Sequence, residues 1–206
     1  MSEAALVVLA YLVGSLSPSV HLGRVLTGKD VREHGSGNPG TTNTFRVLGT
    51  RMGVLVLVLD VVKGFAPVFV ARQLAGPEVA VAAAVAALAG HNYSLFLRGR
   101  GGKGVATGAG TVLALTPLIL AVQLAVFGLV LAATAYVSLA SLSAVVLYPV
   151  LVIGTGQPFA YMAFSLVGAG LVIWAHRGNI RRLLQGTERK ANLPWRRRKT
   201  GPGNAI

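Results

Sequence analysis

Residues 112–175 read VLALTPLILAVQLAVFGLVLAATAYVSLASLSAVVLYPVLVIGTGQPFAYMAFSLVGAGLVIWA, without one charged side chain. A soluble domain carries about a quarter of its residues as charges, so this stretch is written for a surrounding other than water. A helix that crosses a bilayer needs about 20 mainly apolar residues. Small interruptions divide the stretch at Pro117, at residues 136–138 and at residues 154–158. Three further apolar runs precede it, over residues 4–23, 52–71 and 79–97. The first turns small and polar at Gly14-Ser15-Leu16-Ser17-Pro18-Ser19, the second holds Asp60 and Lys63, and the third holds Gly90-His91-Asn92.

The whole chain repeats this contrast. It has 206 residues, 53% of them hydrophobic and only 12% charged, yet its net charge is +13; its mean hydropathy is +0.66. Seventeen of the 19 lysines and arginines fall in three segments: residues 24–51, residues 98–103, and the tail from Arg177 onward. The positive-inside rule puts all three on the cytoplasmic side. Two crossings then join the first cluster to the second, and an even number must fit between Gly104 and Ala175. Four short crossings fit that length better than two very long ones. The expectation is an all-α integral membrane protein of about seven transmembrane helices, some short, with the N-terminus outside and the C-terminus cytoplasmic. One helix within residues 104–136 is expected to be half-length or re-entrant. Residues 1–190 form a single polytopic unit. Residues 191–206, with Arg196-Arg197-Arg198-Lys199, form a basic, disordered tail suited to anionic lipid.

Several function classes drop out. The chain has no cysteine, which excludes disulfides, thiolate metal sites and a cysteine nucleophile. The N-terminus lacks the positive n-region of a cleaved signal peptide. No soluble basic segment is long enough for a nucleic-acid-binding fold, so no nucleic-acid partner is expected.

Two loops concentrate chemistry. The first reads Gly35-Ser36-Gly37-Asn38-Pro39-Gly40-Thr41-Thr42-Asn43, with Arg46 just beyond. Glycines let backbone amides approach a ligand, hydroxyls and amides donate to it, and arginine can grip a phosphate with two parallel bonds. The second reads Arg98-Gly99-Arg100-Gly101-Gly102-Lys103-Gly104-Val105-Ala106-Thr107-Gly108 and opens an apolar helix. A glycine-rich turn, a lysine and a helix N-terminus together favour phosphate. This is not a Walker A loop, because Gly104 rather than Ser or Thr follows Lys103. Asp60 and Lys63, three apart within an apolar run, share a helix face; they are either a buried ion pair or part of a site. His91-Asn92 and His176-Arg177-Gly178-Asn179 place imidazoles and amides near helix ends, whereas His21 and His34 read as incidental.

Taken together and in order, residues 35–46, Asp60-Val61-Val62-Lys63-Gly64, Gly90-His91, Gly101-Gly102-Lys103-Gly104-Val105-Ala106-Thr107 and His176-Arg177-Gly178-Asn179-Ile180 followed by Gly186-Thr187-Glu188 resemble the bacterial acyl-phosphate:glycerol-3-phosphate acyltransferases of the PlsY type. The resemblance covers about residues 5–190. It implies a seven-helix inner-membrane enzyme with its active site facing the cytoplasm. The implied reaction is fatty acyl transfer from acyl phosphate to the sn-1 hydroxyl of glycerol 3-phosphate, giving lysophosphatidic acid and phosphate, without an acyl-enzyme and without a cofactor or metal. It makes Ser36, Arg46, Lys103, His176 and Asn179 the catalytic set and gives the 101–108 loop to glycerol 3-phosphate. Gly35, Gly37, Asn38, Thr42, Asn43, Lys63, Gly101, Gly102, Gly104 and Thr107 are then expected at the substrates, with Asp60 and Glu188 as structural supports. The proton acceptor is either His176 or a substrate phosphate. The chain departs from the family pattern at Pro18, Pro39, Thr41, Tyr93-Ser94 and Gly99-Arg100. A rival reading, a small transporter or flippase for phosphorylated solutes or lipids, would need polar residues near the midplane of both halves, and residues 112–175 offer no charge there.

Overall fold

The computed structural model describes residues 1–193, and every described element is helical. The expected basic run at 196–199 lies outside the described residues. Helix α1 (Glu3–Ser15) starts at Ser2, whose hydroxyl accepts the Ala5 amide at 3.3 Å. The chain bends by 43° into α2 (Pro18–Thr27), where Pro18 occupies the first turn, and α2 stops at Gly28 with φ 69°. A 3-10 turn (Val31–Glu33) leads into α3 (Thr41–Asn92). Gly49 (φ 82°) and Gly76 (φ 86°) leave helical geometry, so α3 is three segments: 41–48, 50–75 and 77–92. Pro77 follows the second break, where a proline can open a helix without losing an amide bond.

A second 3-10 turn (Leu95–Leu97) precedes α4 (Val105–Leu115), followed by α5 (Pro117–Thr134), α6 (Val137–Gly154), α7 (Phe159–Ala175) and α8 (Arg177–Leu184). The three interruptions read from residues 112–175 are all real breaks. At 11 residues α4 rises only about 16 Å, roughly half of a bilayer core; this is the half-length helix expected between 104 and 136. With α3 divided at Gly76, the described residues hold seven apolar helical segments. Three helices as written are long and apolar enough to cross a membrane, or up to five when the bent pairs α1–α2 and α7–α8 (61°) count as single spans.

Close approach between backbones holds the bundle together. A Cβ at Gly14 would strike the Ala87 backbone, and one at Gly90 would strike the Tyr11 carbonyl. A Cβ at Gly64 would meet Thr107, and one at Gly110 would meet Val61. Lipid tails give apolar side chains no reason to leave them, so helices here associate through small residues and backbone contact. Ala80, Ala83, Ala84 and Ala87 recur on one helix face and are fully buried, which makes segment 77–92 the centre of the bundle. Large apolar side chains such as Leu118 and Leu129 face outward instead. Polar side chains satisfy helix ends: buried Lys63 donates through Nζ to the Leu16 carbonyl at 2.6 Å, buried Ser94 through Oγ to Ser15 at 2.6 Å, and exposed Arg72 to Ala114 at 2.8 Å.

Candidate active site

The first loop is folded around Asn43, which is buried. Its Nδ2 donates to the carbonyls of Val31 (2.7 Å) and His34 (3.1 Å), and its Oδ1 accepts the Ser36 amide at 2.9 Å. Gly35 and Gly37 take left-handed backbone (φ 63° and 70°), so Ser36 stands between them at an exposed apex. No partner for the Ser36 hydroxyl exists among the described residues. Asn43, expected at a substrate, is a loop clamp with both N–H groups and its carbonyl oxygen engaged. Asn38 and Thr42 are half-buried beside it, and Arg46 follows Thr42 one turn later in segment 41–48, exposed.

The second loop lies against the end of segment 77–92. Gly101 and Gly102 donate their amides to the Asn92 and His91 carbonyls at 3.1 and 3.0 Å. A Cβ on Gly101 would hit the His91 carbonyl, on Gly102 the His91 ring and the Pro39 carbonyl (2.9 Å), and on Gly104 the Leu88 and Asn92 side chains. Whatever these glycines offer a ligand, they also let the loop pack onto the protein and onto Pro39 of the first loop. The donors that remain are at the start of α4. Gly108 makes the first helical bond, to Gly104 at 2.6 Å, and the amides of Val105 and Ala106 have no backbone acceptor.

Beneath both loops runs a buried network. Asp60 Oδ1 pairs with Lys63 Nζ at 2.8 Å and lies 3.8 Å from His91 Nδ1, while Thr41 Oγ1 donates to Asp60 Oδ2 at 3.4 Å. Thr107 Oγ1 sits 3.0 Å from His91 Nδ1. Lys63 and Thr107 were both expected at the substrates. Each is buried, and each has its polar group engaged within the protein, Lys63 on Leu16 and Asp60, Thr107 on His91. The network joins the end of α1, all three segments of α3 and α4, and it forms the floor on which the loops rest.

The third part comes from the end of the described chain. Glu188 Oε1 accepts from Asn179 Nδ2 (2.6 Å) and Ser138 Oγ (2.8 Å), and Oε2 accepts from Arg182 Nε (2.7 Å). Burial alone would raise this carboxyl, but those three donors hold it below its ordinary value. The Ala191 amide bonds the Ala135 carbonyl at 2.7 Å and pins the segment to the α5–α6 turn. His176 is buried with Nδ1 2.8 Å from the Val172 carbonyl. A carbonyl only accepts, so Nδ1 is assigned the proton and Nε2 the lone pair. Burial, reinforced by Lys103, lowers His176 to about 4 against the upward pull of the Val172 carbonyl and Glu188.

Charge ties the three parts together. Burial, then Arg182 and Arg46, bring Lys103 down to about 8, with Glu188 opposing. Arg46 is lowered by burial and by Arg189 and Arg182, and raised by Glu188. Arg46, Lys103, Arg182 and Arg189 thus feel one another's charge, and Glu188, paired with Arg182 at 2.7 Å, is the carboxylate that offsets them. That surplus suits a ligand with two or more negative charges. Ser138 and Arg182 were absent from the sequence expectation; Arg182 lies one helical turn beyond Asn179, whereas nothing local marks Ser138. Among the described residues no group of three His, Asp or Glu side chains could hold a metal ion.

At Gly104 and Gly108 this basic centre meets an apolar groove with a cavity of about 80 Å³ between α4, α5, α6 and α7. Val112, Leu124, Phe127 and Phe164 line it. Deep inside, Tyr148 and Thr116 place their hydroxyls 3.3 Å apart.

Comparison with known proteins bears on this arrangement. The family model described as glycerol-3-phosphate acyltransferase matches residues 4–186. The glycerol-3-phosphate acyltransferase of Rubrobacter xylanophilus is 47% identical over 191 residues, 92% of this chain and 96% of that protein. Glycerol-3-phosphate acyltransferase 2 of Moorella thermoacetica is 46% identical, covering 89% and 94%. The crystal structure of PlsY, an integral membrane glycerol 3-phosphate acyltransferase, superposes in its glycerol 3-phosphate form with a TM-score of 0.90 at 38% identity, covering 93% of this chain and 96% of that one. Its lysophosphatidic acid form gives 0.87 at 37% identity.

Proposed function

This chain belongs to the glycerol-3-phosphate acyltransferase family of integral membrane enzymes, and from that membership we propose that its acyl donor is acyl phosphate and that transfer is direct. The sn-1 hydroxyl oxygen of glycerol 3-phosphate attacks the acyl carbonyl carbon, the carbon–oxygen bond to phosphate breaks, and lysophosphatidic acid and inorganic phosphate leave. The observation that carries this reading is the meeting of four cations with an apolar groove at the start of α4. Both substrates bring phosphate to the cations, and the acyl chain fills the groove.

Arg46 and the Ser36 hydroxyl hold the phosphate of the donor, where negative charge shifts as the anhydride opens. Lys103 and the Val105 and Ala106 amides bind glycerol 3-phosphate at the positive end of α4. The hydroxyl proton passes to a phosphate oxygen. A phosphate monoester has its second ionisation near 6, about two units above His176, so phosphate is the better acceptor. His176 then orients the incoming alcohol through Nε2, and Asn179 positions Glu188 within the cation cluster. Asn43, Lys63, Thr107 and Gly101–Gly102 act as supports under this scheme. We place the protein in a bacterial cytoplasmic membrane, crossing seven times, with Met1 outside and the site facing the cytoplasm. An enzyme family leaves the transport reading without support.

The test is reconstitution with labelled glycerol 3-phosphate and, in parallel, acyl phosphate, acyl-CoA and acyl carrier protein donors. Lysophosphatidic acid should form with acyl phosphate alone. Equal transfer from either thioester would overturn the donor assignment.

A further inference from the structure

A cavity of about 530 Å³ lies apart from the proposed active site. It lies between α2, the 3-10 turn (Val31–Glu33) that leads to the first loop, and the turn at residues 95–100. None of Ser36, Arg46, Lys103, His176 or Glu188 lines it. Its rim presents Arg24, Arg32, Arg98 and Arg100. Two of these are preset: Arg24 and Arg32 each reach Asp30 Oδ2 at 2.7 Å, and the Asp30 side chain is only 6% exposed. One buried carboxylate thus holds two guanidinium groups at the cavity edge. Arg98 and Arg100 have no acidic partner among the described residues. Glu33 adds a single exposed negative charge near Arg32, so the rim keeps a clear positive surplus.

Arg98 is one of two described non-glycine residues with positive φ (53°). A side-chain-bearing residue adopts left-handed backbone only when its surroundings fix it. Here they do. Its amide bonds the Leu95 carbonyl at 3.3 Å, Gly99 bonds Ser94 at 2.8 Å, and Arg100 bonds Leu97 at 3.1 Å. Ser94 is itself tied to the end of α1. The left-handed residue turns the chain so that Arg98 and Arg100 both face the cavity. Below the rim the wall becomes apolar: Val20 and Leu97 are buried, and Phe96 stands half-exposed beside them.

A cationic rim over an apolar wall at the membrane surface matches a phosphate joined to an acyl glycerol, with guanidinium forks on the phosphate oxygens and hydrocarbon against Phe96 and Leu97. We propose that this cavity is a second, non-catalytic site that binds the head group of an anionic phospholipid bearing a phosphate monoester. This goes beyond the acyltransfer reading and does not depend on it. The site would clasp α2, the 3-10 turn before the first loop and the 95–100 turn together.

The test uses the full chain in neutral phosphatidylcholine nanodiscs with glycerol 3-phosphate saturating, so that the active site is occupied. Adding dioleoyl phosphatidate should raise Tm by about 3 °C or more through binding linkage. Inorganic phosphate at the same concentration should not. In the Arg98→Gln/Arg100→Gln protein the shift should fall by at least about half, while acyltransfer in neutral lipid stays within about twofold of wild type. Should that double variant lose activity through misfolding, Arg24→Gln, at an exposed position on a separate element of the same rim, must show the same loss of shift. An undiminished shift in the folded variants would overturn the site. An equal shift with inorganic phosphate would overturn the lipid assignment in favour of a free-anion site.

Discussion

Lys103 titrates close to neutrality because burial and two neighbouring arginines oppose its charge, which sets it at about 8. As pH rises through that value the site loses one of its four cations, and neither phosphate substrate changes ionisation there. The kcat/KM for glycerol 3-phosphate, which reports the free enzyme, should therefore fall with an apparent pKa of about 8. Lys103→Arg should remove that limb, since a guanidinium stays charged; a limb unchanged in Lys103→Arg would assign it to another group. On the proposed mechanism, Arg46 and Ser36 act on the chemical step. Arg46→Lys keeps the charge and loses the two-pronged grip, and Ser36→Ala loses the donor at the apex. Each should lower kcat by at least about tenfold, roughly 1.4 kcal/mol of transition-state stabilisation. Intact-mass analysis after acyl phosphate without acceptor should show no adduct; a stoichiometric acyl group on Ser36 would sink direct transfer. At this scale the sequence was only half legible. The types at Ser36, Arg46 and Lys103, set among glycines, announce anion chemistry by themselves, whereas Glu188 entered only through the family resemblance. The fate of Lys63 could not be read, because the carbonyl that receives its ammonium belongs to Leu16, 47 positions away. The same distance problem hid Ser138, which meets Glu188 across 50 residues.

The elements explain what the glycines are for. Gly101 and Gly102 fail to accommodate a Cβ because protein, not ligand, lies against them. Gly101→Ala should thus depress Tm and expression as well as activity. Gly99 has positive φ but open space around it, so Gly99→Ala should cost about 1 kcal/mol of backbone strain and leave KM unchanged. A KM-only effect in Gly101→Ala would restore the ligand-facing role. The groove between α4 and α7 makes a separate claim. Tyr148 and Thr116 close it about 16 Å along α4 from Val105. Tyr148→Ala should deepen it and move the preferred acyl phosphate to longer chains; an unchanged chain-length profile would place the acyl tail elsewhere. Helix breaks at Pro117 and at the glycine–proline run 154–158 were legible, although proline alone does not decide, since Pro67 and Pro149 lie inside continuous helix. The division of α3 at Gly49 was not foreseen, because nothing next to a single glycine distinguishes a kink from a tolerated interior residue.

At the level of the whole molecule, one side of the bundle gathers the basic loops and the other is almost uncharged. The chain has no native cysteine, so single introduced thiols report sidedness cleanly. Thr50→Cys and Gln185→Cys should resist an impermeant thiol reagent in intact cells, and Thr155→Cys, in the α6–α7 connection, should react. Equal labelling of positions 50 and 155 would break the seven-crossing scheme. Charge segregation made an all-helical membrane protein readable from sequence alone, whereas the packing that closes the bundle, backbone on backbone at Gly14, Gly64, Gly90 and Gly110, leaves no pattern distinct from ordinary small residues in a membrane helix. The contact between Glu188 and Ser138 also has a meaning in time. A ribosome delivers Ser36, Arg46, Lys103 and His176 to the membrane well before Glu188, and until that carboxylate arrives Asn179, Arg182 and Ser138 have no common acceptor. The Ala191–Ala135 bond follows later still. The nascent protein can thus insert its helices in sequence before Asn179, Arg182 and Ser138 gain the acceptor they share.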